Sequence, residues 1–339
     1  MRAEEVEARL PEALARVLGA SPVAVTNVRQ MTGGAVHETW AVDVTTQDVG
    51  RPAGAQRLVL RVFVATAPGG MSAEHEFSVL RAAFDAGVPA PRPVALLGSA
   101  DMGAPSFLME RVDGETIGRR LVKDALYAAV RPRVADQLGR IAAAIHGVPL
   151  SAELRAFLSA PPEGASGAEW ELRRIEGIYR DVTRDPHPAF ELALRWLRER
   201  LVPSGPHTLV HGDYRVGNVV YGPEGVRAVL DWEGAHIGDP MEDLGWVCVR
   251  SWRFGGGLPV GGVGKREELF AAYEAAGGAP VDPRRVRWWE VFGNLRWGII
   301  TLGLAAPFLR GHTHDVEPAA IGRRAVETEW ELLELMEAG

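Results

Sequence analysis

Residues 209–240 read LVHGDYRVGNVVYGPEGVRAVLDWEGAHIGDP, and this stretch limits the possible folds more tightly than any other in the chain. Two apolar, β-branched runs, VVY and VRAVL, flank the four residues GPEG, which have the composition of a short hairpin loop. Folding the chain back at 222–225 sets Asn218 and Asp231 almost opposite each other, with facing Cβ atoms roughly 4.5–5.5 Å apart. An amide oxygen and a carboxylate at that spacing can share one hard cation, and Mg²⁺ is commonly held by one or two carboxylates together with substrate phosphates. Asp213 precedes Asn218 by five residues, on the turn that leaves the strand TLV. There it reaches the same mouth without being consumed as a ligand, and it is free to act as a base. Turn capping is the usual fate of an isolated Asp beside Gly, but His211, Asp213 and Asp231 spaced together in this way point to a site.

The rest of the chain changes texture once. From 23 to 64 it alternates in strand fashion through PVAVTNVRQM, VHETWAVDV and RLVLRVF, separated by TGG and by a polar Gly/Pro insert, which predicts an antiparallel sheet. A helix follows in SAEHEFSVLRAAFDAG, capped by Ser72 and stopped by Gly87 with Pro89 beyond. Strand candidates come near 93–98 and 106–112. After VDGET the period turns helical, at about 124–147, 168–180 and 188–201, and again from about 240 to the end. The expected fold class is α+β and bilobal: an antiparallel-sheet lobe over 1–112 and a larger, mainly helical lobe over 113–339. A chain of 339 residues can bury a core in each. The Gly-rich run GGGLPVGGVG at 255–264 reads as a mobile loop.

Composition removes several function classes. With 47% hydrophobic and 24% charged residues the chain is globular. A net charge of -7 offers no basic stripe to nucleic acid. The apolar run GIITLGLAAPFL is about half of the roughly 20 residues that a bilayer demands. The opening MRAEEVEARLPEALARVLG is acidic and amphipathic where a secretory signal would be basic and then apolar. One cysteine, Cys248, excludes an intrachain disulfide framework and fits a reducing compartment. These features predict a cytoplasmic protein with no nucleic-acid or membrane partner; oligomeric state is not legible.

An Asp, four residues, an Asn, a hairpin and a second Asp is the order of the catalytic and metal loops of kinases. In HGDYRVGN, LDWE and GDPMEDLG the chain resembles the aminoglycoside phosphotransferase family of kinase-like enzymes, whose signature runs H-G-D-x-x-x-x-N, then D-W/F-E, then G-D-P. The likeness extends over roughly residues 25 to 300. The run GDPMEDLGWVCVRSWRFGG resembles in particular the subgroup related to kinase-like domains fused to acyl-CoA dehydrogenases. The resemblance implies a bilobal protein-kinase-like fold, ATP or GTP with Mg²⁺ as cofactors, and transfer of a γ-phosphoryl group to a small-molecule hydroxyl, with a hydroxylated acyl compound as the acceptor it points to. It implies that Asp213 is catalytic and that Arg215 steadies the transferred group. Asn218 and Asp231 would hold metal, Gly33 and Gly34 of MTGGAVHETW would let backbone approach the phosphates, and Met109, Glu110 and Val112 of FLMERVDG would face the adenine edge. Asp239 and Asp243 would brace the catalytic loop.

Arg61 stands mid-strand in LVLRVF on the face of Val59 and Phe63, where an unpaired charge is costly, so it needs an anion. Kinase-like folds pair a basic residue on the third strand with a helix acid to hold phosphates, and Glu76 fits that spacing better than Glu74. The family often carries Lys here; Arg is a departure, although a bidentate guanidinium also serves phosphate. The run GLPVGGVGKR is no P-loop, because Pro259 replaces the first Gly and Arg266 the Ser/Thr. Between 244 and 300 eight Lys/Arg face five Asp/Glu, the reverse of what a polycationic antibiotic wants. Arg250, Arg253, Asn294 and Arg296 sit in apolar surroundings, where they either pair with buried acids or line a cavity for an anionic or amphipathic acceptor. The rival readings are an antibiotic kinase, a metal-dependent phosphohydrolase using His211, Asp213, Asp231, His236 and Asp239, and a non-catalytic pseudokinase-like nucleotide binder.

Overall fold

The computed structural model describes residues 1–19, 23–31, 37–46, 54–63, 70–203 and 205–337. It divides into two compact units, Met1–Gly114 with Arg227–Gly234, and Glu115–Val226 with Ala235–Gly339. Gly33 and Gly34 lie outside the described residues.

The first unit runs α1 (Ala3–Leu18), β1 (Val23–Gln30), β2 (Glu38–Thr46), β3 (Gly54–Val62), α2 (Ala73–Asp85), β4 (Pro93–Leu97), α3 (Ser99–Met102) and β5 (Ser106–Glu110). Its five strands form an antiparallel sheet in the order β1-β2-β3-β5-β4. Strand alternation decides which residue meets which layer. Leu58, Leu60 and Val62 of β3 pack with Val6, Leu10 and Leu14, which recur every four residues along α1. The intervening Arg61 therefore points to the other face, on a central strand between Thr39 of β2 and Phe107 of β5. Helix α2 starts where the Ser72 hydroxyl accepts the His75 amide at 3.2 Å, and its buried stripe is Glu76, Val79, Leu80 and Ala83.

The second unit carries α4 (Gly118–Lys123), α5 (Arg131–His146), α6 (Ala152–Phe157), α7 (Gly167–Val182), α8 (Pro188–Glu199), β6 (Thr208–Val210) and β7 (Val219–Gly222). The chain then forms β8 (Gly225–Val229), β9 (His236–Gly238), α9 (Met241–Trp246), α10 (Arg266–Ala275), α11 (Pro283–Leu309), α12 (Val316–Gly322) and α13 (Ala325–Glu337). Strand β6 pairs with β9, and β7 with β8. Helix α11 is capped by Asp282, which accepts the Arg284 amide at 2.9 Å, and it buries Trp288, Trp289, Phe292 and Leu295. Close helix approach is bought with glycine: a Cβ on Gly139 of α5 would fall 2.3 Å from the Leu269 carbonyl oxygen of α10. Among the described residues no helix is long and apolar enough to cross a membrane.

The Gly-rich run is not the mobile loop its composition suggests. Leu258 bridges Gly262 and Val260 bridges Gly264, and residues 260–264 are buried. Gly262 has φ 81°, and a Cβ there would fall 2.2 Å from the Arg253 carbonyl oxygen. The glycines serve tight packing rather than freedom.

Candidate active site

The second unit builds the loop that carries Asp213. Strand β6 delivers His211, Gly212 and Asp213, and Gly212 takes φ 76°, a turn that a side chain would strain. Asp243 on α9 accepts the His211 amide at 2.8 Å and the Gly212 amide at 3.0 Å, and contacts His146 Nε2 at 3.1 Å. Burial pushes the Asp243 carboxyl up, but the hydrogen bond from His146 and the interactions with His211 leave it below its usual value. Asp243 thus braces the loop, as the family resemblance implied. Asp239 accepts the Met241 amide and pairs with Arg285 at 2.6 Å, so it ties α9 to α11 instead.

Asp213 is less free than the sequence suggested. Arg215 Nε donates to both its carboxylate oxygens at 3.0 and 3.1 Å, Asn218 Nδ2 to Oδ2 at 2.6 Å, and the Trp246 indole N–H to Oδ1 at 2.8 Å. Donors this close hold the carboxylate in one orientation. The Arg215 guanidinium lies over the Trp252 ring at 4.6 Å. Because Asn218 spends its amide nitrogen on Asp213, its amide oxygen is the atom that suits a cation.

The first unit gathers the other charges. Asp231 has φ 67°, a left-handed backbone that non-glycine residues rarely adopt and that marks functional sites. Arg61 Nη1 meets Asp231 Oδ1 at 2.9 Å and Glu76 Oε1 at 3.3 Å, and Nη2 meets Glu233 Oε2 at 2.8 Å. Burial drives the Glu76 carboxyl up to about 8, against the pull of Arg61 and with the push of Asp231 and Glu233. Burial, then Arg61, lowers the His37 imidazole to about 4, so beside Glu233 at 3.5 Å it is neutral near pH 7. Arg61 finds its anions within the unit. Met109 and Glu110 end β5, and the Glu110 amide is spent on the Arg92 carbonyl at 2.9 Å; Val112 follows the strand half-buried.

Of the residues singled out in the sequence, Arg61, Glu76 and Asp231 come together in the first unit, and Asp213, Arg215 and Asn218 in the second. Arg250, Arg253 and Arg296 pair with the buried Glu331, Glu290 and Glu242. Sequence reasoning missed His37, Glu233 and the two tryptophans. A buried indole N–H needs an acceptor, but nothing in the sequence says that Asp213 supplies it.

A family model for phosphotransferase enzymes, APH, matches residues 27–289. The chain belongs to the APH phosphotransferase enzyme family. Acyl-CoA dehydrogenase family member 10 of Mus musculus is 32% identical over 189 residues, 54% of this chain but 17% of that protein. The chain thus spans less than a fifth of that relative's length. An aminoglycoside phosphotransferase assignment accompanies a Ralstonia eutropha structure with TM-score 0.73 and 24% identity, covering 99% of this chain and 98% of that one. Spectinomycin phosphotransferase APH(9)-Ia, solved with ADP and spectinomycin, has TM-score 0.65 and 14% identity over 98% and 99% of the two chains. At these identities the structures establish the fold, which is the kinase-like α+β fold of this family.

Proposed function

We propose that the chain is an ATP- and Mg²⁺-dependent kinase that transfers the γ-phosphoryl group to a hydroxyl of a small molecule, with GTP as the alternative donor. The observation that carries this reading is Asp213, oriented by Arg215, Asn218 and Trp246 on a loop that Asp243 braces. In it the carboxylate orients the acceptor hydroxyl and takes its proton. Arg215, next to that carboxylate, stabilises charge on the transferred group. Asn218 and Asp231 hold Mg²⁺ through hard oxygen atoms, and the metal when bound neutralises phosphate charge.

Residues 1–112 then form the nucleotide lobe, with Gly33, Gly34, Arg61, Glu76, Met109, Glu110 and Val112 facing the nucleotide, and residues 113–339 form the catalytic lobe. ADP in the spectinomycin phosphotransferase supports nucleotide use. Arg61 must share its guanidinium between phosphate and the three carboxylates it already meets, an arrangement that a bound divalent cation favours by taking up Asp231. The likeness to an acyl-CoA dehydrogenase family member supports a hydroxylated acyl acceptor. Calorimetry of ATP and GTP with Mg²⁺ tests the reading: saturable, Mg-dependent binding that is lost in Asp231→Ala supports it, and no nucleotide binding to the unaltered chain removes it.

A further inference from the structure

A cavity of about 790 Å³ opens in the second unit beside the catalytic loop, lined among others by Arg250, Arg253, Phe254, Asn294, Val326 and Trp330. Its link to that loop is direct. A Cβ on Gly217 would fall 4.0 Å from the Phe254 ring, and Trp252, in the same short turn as Arg250 and Arg253, supports Arg215. Phe254 itself has φ 46°, a strained left-handed conformation for an aromatic residue.

The polar lining is built rather than incidental. Buried Glu331 holds Arg250 Nη1 at 2.9 Å, and buried Glu290 holds Arg253 Nη2 at 2.9 Å. Arg253 Nε and Nη2 also donate to the Cys248 carbonyl. These contacts fix the Arg253 guanidinium and tether the exposed Arg250 at Nη1, while leaving Nε and Nη2 of Arg250 and Nη1 of Arg253 uncommitted among the described residues. Asn294 is fully buried on α11 and donates its amide nitrogen back to the Glu290 carbonyl at 2.8 Å. That bond decides the amide orientation, so Oδ1 is the unspent atom, and it is buried with no hydrogen-bond partner. A buried acceptor left unpaired is costly unless a ligand supplies the donor. Phe254, Val326 and Trp330 supply apolar wall.

We infer that this cavity is the acceptor subsite, and that it selects an organic anion that carries an N–H or O–H donor next to its charge and an apolar body. The anion takes the open N–H groups of Arg250 and Arg253, the donor takes Asn294 Oδ1, and the apolar body covers Trp330 and Val326. Asn294 is the specificity-determining residue, because an anion without the donor leaves its oxygen unpaired. The inference rests on the kinase reading only in calling the ligand an acceptor; occupancy of the cavity needs neither nucleotide nor Asp213.

Calorimetry on the full chain without nucleotide tests it with three probes: N-octanoylglycine, whose carboxylate adjoins an amide N–H; N-octanoylsarcosine, in which a methyl group replaces that hydrogen; and octylamine. The expected result is saturable binding of N-octanoylglycine about tenfold tighter than of N-octanoylsarcosine, the size of one buried hydrogen bond, with no saturable binding of octylamine. Asn294→Leu brings the two acyl anions to about equal affinity by leaving neither an acceptor to satisfy. Arg250→Gln weakens both by about tenfold through loss of a charged donor. Equal affinity for the two anions in the unaltered chain overturns the inference, as does octylamine binding as tightly as N-octanoylglycine, or no binding of N-octanoylglycine up to the millimolar range. These three arms need no variant, so misfolding of a mutant cannot rescue it. Mg-nucleotide binding is scored separately, so failure of the kinase reading shows as loss of that signal alone.

Discussion

Trp246→Phe removes one hydrogen bond from Asp213 and little else that touches the loop. The indole N–H donates to Oδ1 at 2.8 Å, while Arg215 and Asn218 remain on the carboxylate. A hydrogen bond to an ionised group contributes roughly 1.5–3 kcal/mol. The Asp213 side chain is 27% exposed, so water replaces part of what is lost and the lower end applies. About 1.5 kcal/mol of lost orientation corresponds to a fall of about tenfold in turnover. The ring also packs between Arg296, 4.8 Å from its centroid, and Trp252 at 5.3 Å, and truncating a buried aromatic there costs about 1–2 kcal/mol of stability. Steady-state kinetics should show kcat reduced with KM for nucleotide unchanged, alongside a lowered Tm. If Tm falls but kcat stays, the indole is only packing and the account of how Asp213 is oriented is wrong.

Asp213→Asn should lower turnover by roughly 100- to 10,000-fold, the range for loss of a general base, with Mg-nucleotide affinity nearly kept in a binding assay. Gly139→Ala forces a Cβ to within 2.3 Å of the Leu269 carbonyl oxygen and should cost about 1–3 kcal/mol in urea unfolding. The His37 pKa lies at about 4 folded, below its ordinary 6.5, so the unfolded chain binds more protons in that window. Stability should therefore be full above pH 6.5 and fall as pH drops toward 4, and His37→Phe should flatten that limb; an unchanged acid limb contradicts the assignment. Cys248 is fully buried and its thiol is pushed up to about 12, first by burial and then by Glu290. Iodoacetamide at pH 8 should leave it intact in the folded chain and alkylate it in denaturant, as mass spectrometry would show.

Local chemistry was readable where local chemistry decides. The strands of the first unit, the Ser72 cap and the hairpin around Pro223 and Glu224 all follow from period, turn composition and spacing, whereas the brace at Asp243 came from the family resemblance. The Arg61–Glu76 pair was readable too, because a charge in mid-strand must find a partner. What escaped depends on tertiary approach. Counting charges between 244 and 300 overstated the positive character of that region, since Glu331, far along the chain, neutralises part of it. The glycines of 255–264 were misread because composition does not distinguish a glycine that moves from one that lets two backbones touch. Asp213 looked free because its third donor comes from a tryptophan 33 residues away.

The first unit closes only with Arg227–Gly234, after the whole of Glu115–Val226 has intervened. Asp231 follows Arg61 by 170 residues. At about 5–20 residues per second, a ribosome delivers that partner roughly 9–34 s after the strand it completes. Once β5 is complete at Glu110, every strand of the five-stranded sheet has been made, yet until Asp231 emerges Arg61 and Glu76 have only each other. A nascent chain is thus barred from assembling the Asp231 cluster before the loop bearing Asp213 has been synthesised, and a gene fragment cut before residue 227 encodes the sheet without its acidic closure.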